Sequence, residues 1–167
     1  TGGFISSTSD RSFPDANGNF LQATGDAGSV SVFADSITFS GRSGIAAATI
    51  GEGEAGDVLV RVTGELNMSE RTFIAASTGG SGNAGVLDVA AGSIILTDSA
   101  AITSGTGGAG SAGDILVAAD SVTLSDEARI TSRTVEGSTG QAGRVTVNVT
   151  GDLSLADAAT IAATTES

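Results

Sequence analysis

The sequence predicts an all-β fold, a parallel β-helix (β-solenoid) of about five coils of 28–30 residues with three short strands each, on three observations. Segments opening at Ala27-Gly28, Ala55-Gly56, Ala84-Gly85, Ala112-Gly113 and Ala142-Gly143 can be laid on one another, so the period is 28 to 30 residues; such a period belongs to a solenoid or array. Within each segment, short runs alternate apolar with small or polar residues at period two, bounded by Gly, Asp and Ser, and no longer window keeps an apolar 3.6 spacing. Across segments, equivalent positions hold the same residue types, so stacked coils form apolar columns inside a narrow tube.

The first strand supplies two inward columns, Val30, Val58, Leu87, Ile115 and Val145, then Val32, Val60, Val89, Val117 and Val147. The second supplies Ile37, Leu66, Ile94, Val122 and Leu153, then Phe39, Met68, Leu96, Leu124 and Leu155. The third supplies Ile45, Ile74, Ile102, Ile130 and Ile161, followed two positions on by the small residues Ala47, Ala76, Ser104, Ser132 and Ala163. One coil alone buries nothing, so stability must come from contact with its neighbours. Outward positions such as Thr123 and Arg129 are expected to be exposed. A leucine-rich repeat would need an L-x-x-L-x-L-x-x-N frame, which is missing, and a propeller blade a longer period.

Between second and third strands, Asp98, Asp126 and Asp157 fall on one corner of successive coils, with Glu70 before them and Gly41 first. A column of like carboxylates can hold a cation weakly, but Asp is also an ordinary turn residue, and that reading is preferred. Gly-rich runs such as Gly79 to Asn83 and Gly107 to Ser111 read as tight turn-forming corners. Ala84 and Ala112 stand where a calcium-binding G-G-x-G-x-D roll needs its carboxylate.

Residues 1–26 read as a partial coil: Ile5 aligns with the Ile45 column as a lone third strand, followed by a long loop from Ser9 to Asp26 with an Asn17-Gly18 turn signal and Pro14. The five coils then fill 27–167 as a single solenoid. Both ends read as mid-repeat without a polar cap, so the chain is expected to be part of a longer shaft, or a unit whose ends other copies cover.

Composition narrows the partners. Net charge is −12, and the seven basic residues are all Arg, so nucleic acid and anionic membrane surfaces are expected to be repelled. Cys and His are absent, which removes the commonest zinc ligands. No apolar run approaches a membrane span, so membrane insertion is not expected. Asn67-Met68-Ser69 and Asn148-Val149-Thr150 match the glycosylation pattern, a three-residue match that arises readily by chance.

Phrases such as GDILVAADSVTLSDEARITSRT and GRVTVNVTGDLSLADAATIAATT resemble the shaft repeats of filamentous-haemagglutinin-like exoproteins, the adhesins exported by two-partner secretion, especially the Gly, Ser and Thr-rich kind of cyanobacteria. The resemblance covers about residues 27–167. It implies a right-handed β-helix, export across the outer membrane, and an extracellular or outer-cell-surface location on a bacterium. The secretion domain of such proteins is not recognisable in this stretch.

The expected function is a structural shaft segment of a secreted or cell-surface adhesin or extracellular matrix protein, spacing or presenting binding regions. Its expected partners are other copies or flanking coils end to end, and a cell-surface or matrix carbohydrate or protein. The alternative is a fragment of a polysaccharide-acting β-helix enzyme, disfavoured by the lack of His, Lys and Tyr and by short loops. No catalytic grouping, cofactor site or metal site is predicted. Arg129 and Arg133, beside Glu127 and Glu136, read as a salt-bridged face. Five of the six Phe residues fall in the first 39 positions, and Phe4, Phe13, Phe20 and Phe33 are the candidate contact surface; the alternative, slightly preferred, is that the loop from Ser9 to Asp26 folds back to cover Phe33 and the N-terminal edge.

Overall fold

The structure, a computed structural model, describes residues 3–9, 13–14, 20–21, 24–135 and 138–166, those at 13–14 and 20–21 by backbone only. The described chain is β throughout, with no helix. The partial coil gives β1 (Phe4–Ser9), and the loop after it gives β2 (Phe13–Pro14) and β3 (Phe20–Leu21), an antiparallel pair joining Phe13 to Leu21 and Pro14 to Phe20. Asn17-Gly18, the expected turn, lies outside the described residues. The first two coils give β4 (Val30–Ala34), β5 (Ile37–Phe39), β6 (Gly44–Thr49), β7 (Val58–Val62), β8 (Glu65–Met68) and β9 (Phe73–Thr78). The third and fourth give β10 (Leu87–Leu96), β11 (Ala101–Thr106), β12 (Ile115–Leu124) and β13 (Arg129–Thr134), and the fifth β14 (Val145–Val149), β15 (Leu153–Leu155) and β16 (Thr160–Thr164).

All third strands form one parallel sheet in the order β1-β6-β9-β11-β13-β16. First and second strands form the other, β14-β12-β10-β7-β4, with β5, β8 and β15 continuing it. The registers join the expected columns: Val30 to Val58, Leu87, Ile115 and Val145 on one sheet, and Ile5 to Ile45, Ile74, Ile102, Ile130 and Ile161 on the other. These side chains make one continuous core, fully buried in the middle coils. Thr123 and Arg129 are exposed.

In the third and fourth coils the first and second strands are not separate but run on as the ten-residue β10 and β12. The second and fifth coils break there because of one added residue. Val58 and Leu66 stand eight apart, as do Val145 and Leu153, against seven for Leu87 and Ile94. The extra residue is accommodated at Thr63-Gly64 and Thr150-Gly151. Thr63 and Gly64 N–H donate to the Ala34 and Asp35 carbonyls at 3.1 and 2.8 Å, while the Thr63 and Thr150 hydroxyls donate to Oδ1 of Asp35 and Asp120 at 3.3 and 3.0 Å. The first coil breaks with the second because that is its one neighbour in this sheet.

Two kinds of corner close each coil. Between second and third strands, two consecutive residues adopt left-handed backbone in every coil: Gly41-Arg42, Glu70-Arg71, Asp98-Ser99, Asp126-Glu127 and Asp157-Ala158, at φ of 50 to 66°. Nine of these ten are not glycine, and the left-handed region costs an L-residue roughly 1–2 kcal/mol. Stacking holds them there: Arg71, Ser99 and Glu127 N–H donate to the carbonyls of Asp98, Asp126 and Asp157 in the next coil at 2.8 to 2.9 Å.

The glycine-rich corner between third and first strands works differently. Its described glycines lack positive φ, contrary to the expected turn role, and stand there because backbones stack in van der Waals contact. A Cβ at Gly53, Gly82, Gly110 or Gly140 would lie 1.9 to 2.2 Å from the carbonyl oxygen of the glycine one coil below, and the column Gly56, Gly85, Gly113 and Gly143 repeats this at 2.0 to 2.3 Å. Buried serines tie the corner to the core. Ser104 Oγ donates toward the Ala76 and Gly85 carbonyls, both at 3.0 Å, and accepts from Gly113 N–H at 2.9 Å; Ser132 repeats the arrangement with Gly113 and Gly143.

One buried polar atom among the described residues is unpartnered, Thr72 Oγ1. Its inward position holds Ala100 and Ala128 in later coils, so nothing there asks for a hydroxyl. Thr72→Val, equal in shape, is therefore expected to raise stability by about 1 kcal/mol, read as a higher urea midpoint at unchanged m-value. A lower midpoint would show that the hydroxyl is satisfied.

Candidate functional site

Of the four candidate aromatics, Phe4 and Phe33 stand on different sheets, Phe4 on β1 and Phe33 on β4. Both are exposed, 62 and 70%, as their outward positions require. The side chains of Phe13 and Phe20 lie outside the described residues. Phe33 is in register with Arg61, which is committed elsewhere: its guanidinium pairs with the Asp88 carboxylate and donates to the Val60 and Asp88 carbonyls at 3.0 Å.

Phe4 finds its partner in Phe73, whose ring centroid is 6.0 Å away at a 36° tilt, a tilted aromatic contact. The two belong to the same outward column, Phe4, Gly44, Phe73, Ala101, Arg129 and Thr160, read directly from the registers. Gly44 makes the contact possible: a Cβ there would meet the Phe73 carbonyl at 2.4 Å and its ring at 2.9 Å. Phe73 escaped the sequence reading because aromatics were grouped by nearness along the chain. The usable signal was its place immediately before Ile74, as Phe4 stands before Ile5.

The acidic corner lies alongside. Glu70, Arg71, Asp98, Ser99, Asp126, Glu127 and Asp157 line a recess of about 620 Å³. Two of its three aspartates are occupied locally: Thr97 and Ser125 hydroxyls donate to Asp98 and Asp126 at 3.1 and 2.8 Å. Among the described residues no three carboxylates come close enough to share a metal ion. Asp98, Asp126 and Asp157 all stand at left-handed backbone, which Asp tolerates.

The expected salt-bridged face needs correction. Arg129 has no carboxylate within 4.0 Å among the described residues, because the neighbouring Glu127 sits on the corner, where its Oε2 accepts from Ser99 Oγ at 3.4 Å. Arg133 makes a long 3.8 Å contact with Glu166, and Glu136 lies outside the described residues. Both arginines stand on β13, beside a strand of small outward side chains, Ala101, Thr103 and Gly105 of β11.

Comparison with known families, with curated proteins and with solved structures found no match for this chain.

Proposed function

We propose that the chain is a structural shaft segment, a rod of stacked coils that spaces or presents binding regions on a secreted or cell-surface adhesin or extracellular matrix protein. The observation that supports this reading best is the sameness of the coils. Left-handed corners recur in all five, and the stacked glycines and apolar columns recur from coil to coil. Such a rod lengthens by repetition without a new kind of contact. Its partners on this reading are further coils or copies end to end, together with whatever surface the shaft reaches.

The test is extension from within. Four additional copies of residues 84–111, inserted after Ser111, are expected to give a folded protein whose long dimension by small-angle X-ray scattering grows about 4.8 Å per coil at constant cross-section. Growth of the cross-section, or loss of the fold, would overturn the shaft reading.

A further inference from the structure

The third-strand sheet carries a trough. Its floor is the outward side of β11, Ala101, Thr103 and Gly105, and Ala101 is only 4% exposed although it points outward. One wall is β9, with Phe73, Ala75 and Ser77, and the other β13, with Arg129, Thr131 and Arg133. The walls stand about 9 to 10 Å apart, and Arg129 and Arg133 about 13 Å apart along the strand. Two recesses, of about 470 and 190 Å³, meet at Thr103; the first is lined by Phe73, Arg71 and Arg129, the second by Ser77, Gly105 and Arg133.

The chemistry of the walls selects the occupant. The strands of this sheet are hydrogen-bonded to neighbours on both sides at β11, so no backbone edge is offered to an extended peptide. Recognition must come from side chains: an aromatic ring on one wall, the Thr103 hydroxyl on the floor, and two guanidinium forks on the other wall. A sugar ring sets its apolar face on the part of Phe73 that lines the first recess, away from Gly44 and Phe4. Arginine forks match a carboxylate in bidentate geometry, and among the described residues Arg129 has none within 4.0 Å while Arg133 has one distant and exposed partner. The acidic corner bounds the ligand at one end, where Glu70, Asp98 and Asp126 would repel a negative unit extending past Arg129.

We propose that the trough over β11 binds a short stretch of linear acidic glycan, two to three sugar units of which at least one carries a carboxylate. One ring lies on Phe73, and carboxylates or hydroxyls lie against Arg129 and Arg133. The site goes beyond the shaft reading and does not depend on it, since a rod is a rod with or without a ligand on its face.

Titration calorimetry with trigalacturonate and with its fully methyl-esterified form tests it. The acid is expected to bind saturably and more weakly as salt rises, and the ester at least tenfold more weakly. Arg129→Gln with Arg133→Gln, both exposed and so replaceable without loss of fold, is expected to weaken binding roughly tenfold per arginine. Thr103→Gln, which fills the floor, is expected to do the same at unchanged melting temperature. Absence of saturable binding at millimolar trigalacturonate, equal affinity for the ester, or undiminished binding by the double arginine variant would each overturn the proposal, while the rod length on coil insertion stays unaffected.

Discussion

Alanine at Gly110 is expected to destabilise the protein by about 3 kcal/mol or more, the upper range for overpacking. The added Cβ would sit 2.0 Å from the Gly82 carbonyl oxygen and 2.4 Å from its carbon, while Gly110's own carbonyl already bounds Gly140 on the other side. Neither backbone can retreat. On either side of this corner, Ala84 N–H donates to the Ser111 carbonyl and Ala112 N–H to the Gln141 carbonyl at 2.9 Å, and moving one coil away from the next would lengthen both. Gly79→Ala is the control, because its Cβ would meet Ile50 no closer than 3.6 Å and the position lacks positive φ. It is expected to be neutral or to stabilise by about 0.4–1 kcal/mol through the unfolded state. Urea midpoints measure both, and equal midpoints for the two variants would mean that close stacking is not what selects glycine here.

The columns were legible in the sequence because a solenoid writes the same inward residue once per coil. Ile45, Ile74, Ile102, Ile130 and Ile161 need only be placed under one another to give the register that the sheet adopts. The glycine column was visible too, but its cause was not. Gly82 and Gly110 look like turn residues in one dimension, and only the contact between coils reveals that they are selected by proximity. Conversely, Arg71 gives no local sign of its left-handed backbone, which its N–H bond to the Asp98 carbonyl in the next coil holds in place. Strand fusion in β10 and β12 depended on a one-residue difference in spacing, already countable between Val58 and Leu66 and between Leu87 and Ile94. The trough was the least legible feature. It depends on three strands side by side, with Phe73, Ala101 and Arg129 lying 28 residues apart in the chain. Their chemistry emerges only when the outward column, and not merely the inward one, is followed from coil to coil.

Ile102→Asp is expected to abolish the fold at neutral pH. Ile102 is fully buried between Ile74 and Ile130, in the middle of the six-stranded sheet. A carboxylate there loses its water and gains no partner: the nearest inward hydroxyl on the strand, Ser104 Oγ, is already engaged with Ala76, Gly85 and Gly113. Burying an unpaired charge costs several kcal/mol, comparable to the whole stability of a domain. The penalty falls on the ionised form, so burial raises the carboxyl's pKa in the folded state above its unfolded value of about 4. The sign follows: the folded form binds the proton more tightly, and the loss relative to the parent protein shrinks as pH falls through the raised value toward about 4. Thr123→Asp places the same charge on an exposed, outward position of β12 and is expected to cost about 1 kcal/mol or less at any pH in that range. Far-UV circular dichroism during urea titration at pH 7 and at pH 4 reads all four cases. A folded Ile102→Asp protein at pH 7, as stable as Thr123→Asp, would mean that the isoleucine column does not form the core.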